Sequence, residues 1–364
     1  MWVCAPVNAY PDMLRKIMPA VAIEAQRSGR TESNPILVCV MYAQGGVDWM
    51  ATSMSGGSLP KGVGLCLLKN FPALISRKDD TVENFGYHPN CAWFAPVPLS
   101  AGKAGAEVCK TLFAGAHASH SWSVEQLKSP LLCTLGGSNQ LLHPTIIAGQ
   151  LGEAPGRSLA EAPKVYRNLP FNTFRMMAGC WKETMALAEV LEQETKIKIM
   201  DKVGFAGPVR NLIRIYGHYW PEWMVSILCW GAINGTSRLR AAKMPLVENP
   251  HFNDSIAKIS GDNNPYVMNT NHRFIVDDVP FGLCVLYGMS LIVECPMPNT
   301  AHLISQLQMF MQKEYVTVQG ARFMLNGRDA HETGAPQSYG VTTREQLKDL
   351  MLNCRLPQTA TSKL

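Results

Sequence analysis

Two runs of uninterrupted apolar residues constrain the fold of the first third of the chain. Residues 36–42 read Ile-Leu-Val-Cys-Val-Met-Tyr, and residues 62–68 read Gly-Val-Gly-Leu-Cys-Leu-Leu. Runs without polar alternation are typical of strands buried on both faces, as in a parallel sheet covered by helices. Residues 10–27 and 101–113 have the apolar spacing of helices that could supply this cover. The alternation predicts an α/β sheet, with short strands also expected at residues 2–5, 85–87 and 92–96.

From about residue 120 the pattern changes to longer helical segments with few strand signals. Helices are expected over residues 123–142, 171–200 and 300–311. The predicted fold class is therefore α/β followed by an all-α part. We divide the chain into a partial sheet domain at 1–119, a mainly helical domain at 120–355 and a flexible tail at 356–364.

Composition excludes several functional classes. With 47% apolar and 17% charged residues, the 364-residue chain should be globular, and its net charge of +5 is not gathered into runs that would indicate a nucleic-acid partner. The nearest two of the eleven cysteines, Cys284 and Cys295, are eleven positions apart, so we expect reduced thiols of an intracellular protein. Residues 223–233, taken as the longest apolar run, are too short to span a bilayer. We therefore expect no membrane insertion and no signal peptide.

A glycine-rich phosphate turn is the feature that this arrangement should contain and does not. A parallel α/β domain joined to a helical one is typical of dinucleotide enzymes, which carry G-x-G-x-x-G after their first strand. The glycines at Gly62 and Gly64 lack the third glycine and begin an apolar run instead of following one. The sequence therefore predicts a sheet that begins in mid-fold, and we expect the first strands to be missing from this chain or encoded upstream of it.

Motifs along nearly the whole chain support one resemblance. They are Met1-Trp-Val-Cys-Ala-Pro-Val-Asn-Ala-Tyr, Met41-Tyr-Ala-Gln-Gly-Gly, Leu142-His143-Pro144, Glu161-Ala-Pro followed by a tyrosine, Arg273-Phe-Ile-Val-Asp-Asp-Val-Pro-Phe-Gly, and Lys313-Glu-Tyr with Gly327-Arg-Asp through Pro336-Gln-Ser-Tyr-Gly. In order and spacing they resemble the octopine/nopaline (opine) dehydrogenase family. Members of this family join an amino acid to a 2-oxo acid by reducing the imine with a nicotinamide cofactor.

The resemblance implies both a fold and a reaction. It implies an incomplete Rossmann-like parallel sheet, lacking the first βαβ unit, followed by the helical opine dehydrogenase C-terminal domain. The cofactor implied is NAD or NADP, and the implied partners are an amino acid and a 2-oxo acid. A catalytically inactive relative that binds a small molecule or a protein is the alternative. Asn70 stands where arginine-using relatives carry an acidic side chain, which puts a guanidinium substrate in question.

Three residues carry the implied chemistry. His143 is the candidate proton donor, because an imidazole can give and take a proton near neutral pH. The family pattern assigns Asp278 to orient that imidazole and stabilise its charged form. Arg273 has the planar fork suited to a substrate carboxylate, with an ordinary surface ion pair to Asp277 or Asp278 as the alternative. On its residues alone, a histidine before a proline is more often structural.

Further contacts are predicted at the end of the parallel strands, where such sheets bind ligands. Gln44 is predicted to contact the 2-oxo acid or the nicotinamide, with a simple turn equally compatible. Asn139 lies four residues before His143 and is predicted to contact substrate, although capping or packing explains it equally well. The resemblance places Pro6 beside the cofactor. Asp277 is expected to begin a helix or to face solvent.

No metal site is predicted, because His117 and His120 have no third ligand nearby. The chain ends in Ser362-Lys363-Leu364, a peroxisomal address read by an import receptor. We therefore expect a location in peroxisomes or glycosomes, with the cytoplasm as the alternative.

Overall fold

The computed structural model describes most of the chain. The described residues are 1–69, 73–78, 81–87, 91–114, 123–137, 139–152, 159–200, 220–235, 243–248, 266–353 and 355. The positions Asn70, His117 and His120 and the terminal Ser362-Lys363-Leu364 lie outside them, so the expectations attached to these residues stay predictions.

The N-terminal part contains a five-stranded sheet in the order β1-β2-β3-β6-β7. Strands β1, β2 and β3 are parallel, β6 runs antiparallel to β3, and β7 runs parallel to β6. A separate antiparallel hairpin, β4–β5, lies between β3 and β6 in the chain. The strands are β1 (Trp2–Val3), β2 (Ile36–Val40), β3 (Val63–Leu68), β4 (Ala73–Lys78), β5 (Thr81–Tyr87), β6 (Cys91–Val97) and β7 (Ser123–Gln126).

Helices cover both faces of the sheet, as the unbroken apolar strands predict. Helix α1 (Tyr10–Arg27) contributes one face of the core, and α2 (Val47–Met54) packs beside it. Helix α3 (Gly102–Ala114) packs on β6 and β7. Alternate residues of the central strands enter two separate apolar clusters, Val38, Val40, Leu65 and Leu67 in one and Leu37, Cys39, Cys66 and Leu68 in the other. The expected α/β architecture is therefore confirmed.

The helix expected over residues 123–142 is wrong for most of its length. Ser123–Gln126 instead forms β7, because the open edge of β6 supplies backbone partners for it. The rest of the segment is broken by Pro130 and by Gly136–Gly137, so only the short α4 (Leu131–Thr134) and the start of α5 (Asn139–Leu151) are helical. The sheet thus extends beyond residue 119, where we placed the end of the first domain.

The C-terminal part is mainly helical. After α5 come α6 (Phe171–Thr195), α7 (Glu222–Gly235), α8 (Arg273–Val276), α9 (Cys284–Ile292), α10 (Pro298–Phe310) and α11 (Arg344–Asn353). Two short antiparallel hairpins accompany them, β8 (Leu246–Glu248) with β9 (Tyr266–Met268) and β10 (Thr317–Gln319) with β11 (Arg322–Met324). The helices expected over 171–200 and 300–311 are present with slightly different ends.

A buried carboxylate joins two of these helices. Glu183, in the middle of α6, accepts hydrogen bonds at 2.7–2.9 Å from the backbone N–H groups and the side chains of Asn299 and Thr300. These residues form the first turn of α10, whose free N–H groups need acceptors and whose dipole favours a negative charge. Glu183 therefore fixes the angle at which α10 leaves the core.

The run Arg273–Ile292 is the most apolar long helical segment in the described part of the chain. It is long and apolar enough to cross a membrane, but 89% of it is buried inside the protein, as in the core helix of a folded domain. Residues 223–233 are thus not the longest apolar run. Sequence reasoning overlooked the longer one because polar residues occupy its first turns.

Close contacts at glycines join the sheet to the helical part. The indole N–H of Trp49 donates to the carbonyl of Gly334 at 2.9 Å. A Cβ at Gly334 would lie 2.6 Å from the carbonyl oxygen of Gly45, and Gly45 itself has a positive φ of 81°. Any larger side chain at these two positions would force the two parts of the molecule away from each other.

Burial of Asp48 in the first turn of α2 makes stability depend on pH. Burial raises the pKa of its carboxyl group to about 7, while the backbone N–H groups of Asp48 and Trp49 lower it in part. The folded protein therefore keeps Asp48 protonated at pH values where the unfolded chain ionises it. The free energy of unfolding should accordingly fall as the pH rises from about 4 to about 7.

We expect the substitution Asp48→Asn to remove this fall, because the amide stays neutral in both states. The free energy of unfolding of the variant, relative to that of the wild type, should increase as the pH rises over the same range, by at most about 4 kcal/mol. Urea unfolding of both proteins at about pH 5 and about pH 8 measures the difference. Asp12→Asn, at an exposed aspartate of α1, is the matched control. An equal pH dependence in wild type and Asp48→Asn would contradict this assignment.

Candidate active site

The centre of the candidate site is a hydrogen bond between two buried side chains that are 135 residues apart. Nδ1 of His143, in α5, lies 2.7 Å from Oδ2 of Asp278, and each side chain is only 5% exposed. An aspartate carboxylate is an acceptor only, so it orients the imidazole with its proton on Nδ1. The structure thus brings together the two residues that were predicted to be the catalytic pair.

A local distortion of the helix positions Asp278. Residues Val279–Leu283 form a π-helical turn between α8 and α9, in which the N–H of Leu283 donates to the carbonyl of Asp278 at 2.9 Å. Pro280 lies within this turn and has no N–H to donate, which disfavours a regular α-helix there. Single π turns of this kind are frequent at functional sites. The wider turn places the Asp278 carboxylate beside α5, the helix that carries His143.

The neighbouring Asp277 is buried, so the expectation that it faces solvent is wrong. Its Oδ1 accepts a hydrogen bond at 3.0 Å from the backbone N–H of Asn8, at the N-terminal end of the first helical segment of the sheet domain. Burial raises its pKa to about 6, with a further contribution from the charge of Asp278. Asp277 therefore connects the two domains next to the His143–Asp278 pair.

Aromatic rings hold the imidazole from one side. Phe274 stacks on His143 with ring centroids 3.8 Å apart and an angle of 22° between the planes. His272 packs against Phe274 in a T-shaped arrangement, with 4.5 Å between the two ring centroids. Burial lowers the pKa of His272, and the charge of Arg273 lowers it further. The stack leaves His143 little freedom to rotate.

The second ring nitrogen of His143 is also engaged. Its Nε2 lies 3.0 Å from the hydroxyl of Tyr166, a buried residue in the segment between α5 and α6. With Nδ1 protonated, Nε2 of a neutral imidazole accepts this bond and the phenol donates it. Burial, and then the charge of Asp278, raise the pKa of Tyr166 to about 12, so its hydroxyl stays protonated near neutral pH.

Gln44 reaches the same centre from the end of the parallel strands. It is buried, and its Nε2 lies 3.5 Å from Oδ1 of Asp278, at the limit of a hydrogen bond. Its other polar atom, Oε1, is buried without a hydrogen-bond partner among the described residues. A side chain at Gly137 would overlap that oxygen, so the glycine leaves room beside it. The simple-turn alternative explains neither the burial nor the unpaired oxygen.

Tyr42 and Asn139 lie close to Gln44, near the start of α5. Tyr42 follows β2 with a positive φ of 57°, a conformation that is strained for a bulky residue and is often found at functional sites. Its hydroxyl accepts a hydrogen bond from the backbone of Asn139, the first residue of α5. Packing of the Asn139 backbone is therefore observed, and its contact with substrate stays a prediction.

Arg273 and Pro6 lie at the rim of the site. Arg273 begins α8, is exposed, and its guanidinium lies 5.8 Å from the centroid of the Phe274 ring. No ion pair joins it to Asp277 or Asp278, all three of which are among the described residues, so the surface-bridge alternative is wrong. Pro6 is exposed just before the short helix Val7–Ala9, after the carboxyl end of β1, and its contact with the cofactor stays a prediction.

Sequence reasoning missed the groups that surround the imidazole. Tyr166 and Phe274 lie within motifs that carry the resemblance, but nothing in their spacing indicates contact with His143. Tyr42 also lies in such a motif, at a strand end, but nothing there indicates a role for it. Within the described part of the chain, no group of three metal-ligating side chains forms a metal site.

The sheet domain and the helical domain meet at a buried histidine–aspartate pair. This combination is typical of a two-domain dehydrogenase. A family model described as "NAD/NADP octopine/nopaline dehydrogenase, alpha-helical domain" matches residues 126–311, just over half of the chain. The chain therefore belongs to the octopine/nopaline dehydrogenase family.

Individual relatives agree with this assignment. The chain is 25% identical over 214 residues to tauropine dehydrogenase of Arabella iricolor, an alignment that covers 57% of this chain and 47% of that protein. It is 24% identical over 206 residues to octopine dehydrogenase of Mizuhopecten yessoensis, covering 57% and 46%. The alignments thus span about half the length of the curated relatives.

Solved structures show the same fold. An octopine dehydrogenase in complex with NADH and agmatine superposes with a TM-score of 0.68 at 20% identity, covering 96% of this chain and 77% of that one. A yersinopine dehydrogenase with NADP+ gives a TM-score of 0.60 at 13% identity, covering 85% and 70%. The expected Rossmann-like sheet with a helical C-terminal domain is confirmed.

Proposed function

We propose that the chain carries the catalytic centre of an NAD(P)-dependent opine dehydrogenase. In this reaction the amine of an amino acid condenses with the carbonyl of a 2-oxo acid, and the resulting imine is reduced, or the product is oxidised in reverse. The observation that carries the proposal is the buried His143–Asp278 hydrogen bond at the junction of the two domains. Family membership supports the reaction class.

The residues at the sheet edge fit one end of the implied cofactor. Oε1 of Gln44 is a buried acceptor without a partner in the described part of the chain, next to the open space at Gly137, and it suits the carboxamide N–H group of a nicotinamide. When bound, the reduced nicotinamide supplies a hydride. No G-x-G-x-x-G turn occurs in this sequence, so the part of the site that would hold the pyrophosphate is not among its residues.

His143 moves the proton in this proposal. Its Nδ1 stays on Asp278, so the exchangeable proton is the one at Nε2. The charged imidazole gives this proton as water leaves during condensation, and it takes a proton back in the reverse direction. Asp278 stabilises the charged form and remains ionised throughout.

Arg273 binds substrate in this proposal. Its exposed guanidinium lies beside the Phe274–His143 stack without an ion pair to either neighbouring aspartate. A planar fork of this kind can donate two parallel hydrogen bonds to a carboxylate. A carboxylate held there would place the adjacent carbonyl carbon of a 2-oxo acid near the imidazole.

The substitutions His143→Ala and Asp278→Asn should both lower kcat, by on the order of 10²- to 10⁴-fold, because each disturbs proton transfer. Arg273→Ala should chiefly raise KM, because it removes carboxylate binding. The assay follows opine formation by mass spectrometry at high NADH with a panel of amino acids and 2-oxo acids. His302→Ala, at an exposed histidine of α10, is the control. Wild-type kcat in His143→Ala would make His143 structural and overturn this mechanism.

Binding of NADH should be weak in protein of this sequence, because the glycine turn that binds pyrophosphate is absent from it. Calorimetry should detect no micromolar affinity, even though product forms at high NADH concentrations. A micromolar dissociation constant would contradict the role we give to the absent turn. Complete lack of turnover with all substrate pairs would favour the alternative, a non-catalytic relative that binds a small molecule or a protein.

We also propose import into peroxisomes or glycosomes through Ser362-Lys363-Leu364. The proposal rests on the sequence of these three residues, which an import receptor reads at a free C-terminus. A fluorescent protein fused before the chain should enter these organelles. Deletion of Leu364 should leave the fusion in the cytoplasm, and unchanged import after the deletion would contradict the proposal.

A further inference from the structure

His143 has no nitrogen free to meet a substrate. Nδ1 is hydrogen-bonded to Asp278 at 2.7 Å, and Nε2 is hydrogen-bonded to the hydroxyl of Tyr166 at 3.0 Å. Phe274 covers one face of the ring at 3.8 Å. A proton that leaves Nε2 therefore passes first to the oxygen atom of Tyr166.

Tyr166 is held firmly in this position. It is 7% exposed, and its neighbours Val165 and Leu169 are buried in the main apolar core. The backbone just before it is held by Gln150, whose side-chain amide donates to the carbonyl of Lys164 at 2.8 Å. A loop anchored in this way can hold a phenol at a fixed distance from the imidazole.

The surroundings of Tyr166 also match a group that faces substrate. The guanidinium charge of Arg273, which we propose to bind a carboxylate, is close enough to lower the pKa of the phenol, against the larger effect of burial. Its hydroxyl has one hydrogen-bond partner among the described side chains, His143, and the oxygen has a second lone pair available. The phenol thus contacts the proton source directly and can form a further hydrogen bond.

We propose that the hydroxyl of Tyr166 carries the proton between His143 and the substrate. This inference rests on the proposed function. In the direction of condensation, the Tyr166 O–H bond breaks as a new O–H bond forms on the substrate oxygen that leaves as water. At the same time the Nε2–H bond of the charged imidazole breaks and restores the Tyr166 O–H bond. The net change is one proton moved from His143 to the substrate, with Tyr166 unchanged and Asp278 still ionised.

The test compares single and double variants of the full chain. In Tyr166→Phe the ring remains and the carrier oxygen is lost, so kcat should fall on the order of 10²- to 10⁴-fold, as expected for loss of a general acid, with KM nearly unchanged. His143→Ala should lower kcat to a similar extent. Because both residues serve one transfer, the double variant should be about as slow as the slower single variant.

The matched control is Tyr287→Phe, which removes a phenol hydroxyl that donates to the carbonyl of Phe323 at 2.7 Å, away from His143. Its kcat should equal that of the wild type. If the wild type is active and Tyr166→Phe keeps or exceeds its kcat, the tyrosine only covers the imidazole and the transfer role is wrong. If the losses of the single variants multiply in the double variant, Tyr166 acts separately and the role is again wrong. A wild type inactive with every substrate pair would contradict the proposed function itself, and the role of Tyr166 with it.

Discussion

The hydrogen bond between His143 and Asp278 is the interaction on which the account of this protein depends. Two polar, ionisable side chains are removed from water here, and burial of such groups is unfavourable unless they are paired. Their separation of 135 residues means that the pair exists only when the chain has folded around it. The folded core therefore has to position both partners of this hydrogen bond.

Much of the surrounding structure serves this positioning. The π turn after Asp278 positions its carboxylate, and Phe274 stacks on the imidazole and fixes the plane of its ring. Asp277 connects the same turn to the start of the sheet domain at Asn8, so the aspartate that binds His143 and the aspartate that contacts the sheet domain are consecutive residues. A shift of the sheet against the helices would move Asp277, and the adjacent Asp278 would transmit that movement to the imidazole of His143.

The sequence predicts the regular parts of this molecule better than the site. Strands 36–40 and 63–68 were recognisable because burial on both faces leaves no polar residue in them, and α1 because its apolar residues recur at helical spacing. The segment after residue 123 was mistaken for a helix because pairing with the open edge of a sheet leaves no periodic signal. Pro130 and Gly136–Gly137 were the evidence against that helix.

Contacts within the site depend on long-range packing, which local patterns do not encode. His143, Asp278 and Arg273 were found through family motifs and not through spacing. Tyr166 and Phe274 lie in the same motifs, but their roles emerge only when three distant segments are packed against the imidazole. The burial of Asp277 was missed for the same reason, since its partner, the backbone of Asn8, is 269 residues away.

The ring nitrogen that carries the proton of neutral His143 can be identified by experiment. Nitrogen-15 NMR of the histidine side chains, assigned with a His143→Gln variant, reports which ring nitrogen carries the proton when the imidazole is neutral. A carboxylate at 2.7 Å from Nδ1 predicts the Nδ1–H form, with that proton shifted strongly downfield by the short bond. A neutral His143 with its proton on Nε2 would contradict the bond to Asp278, and with it the mechanism built on that bond.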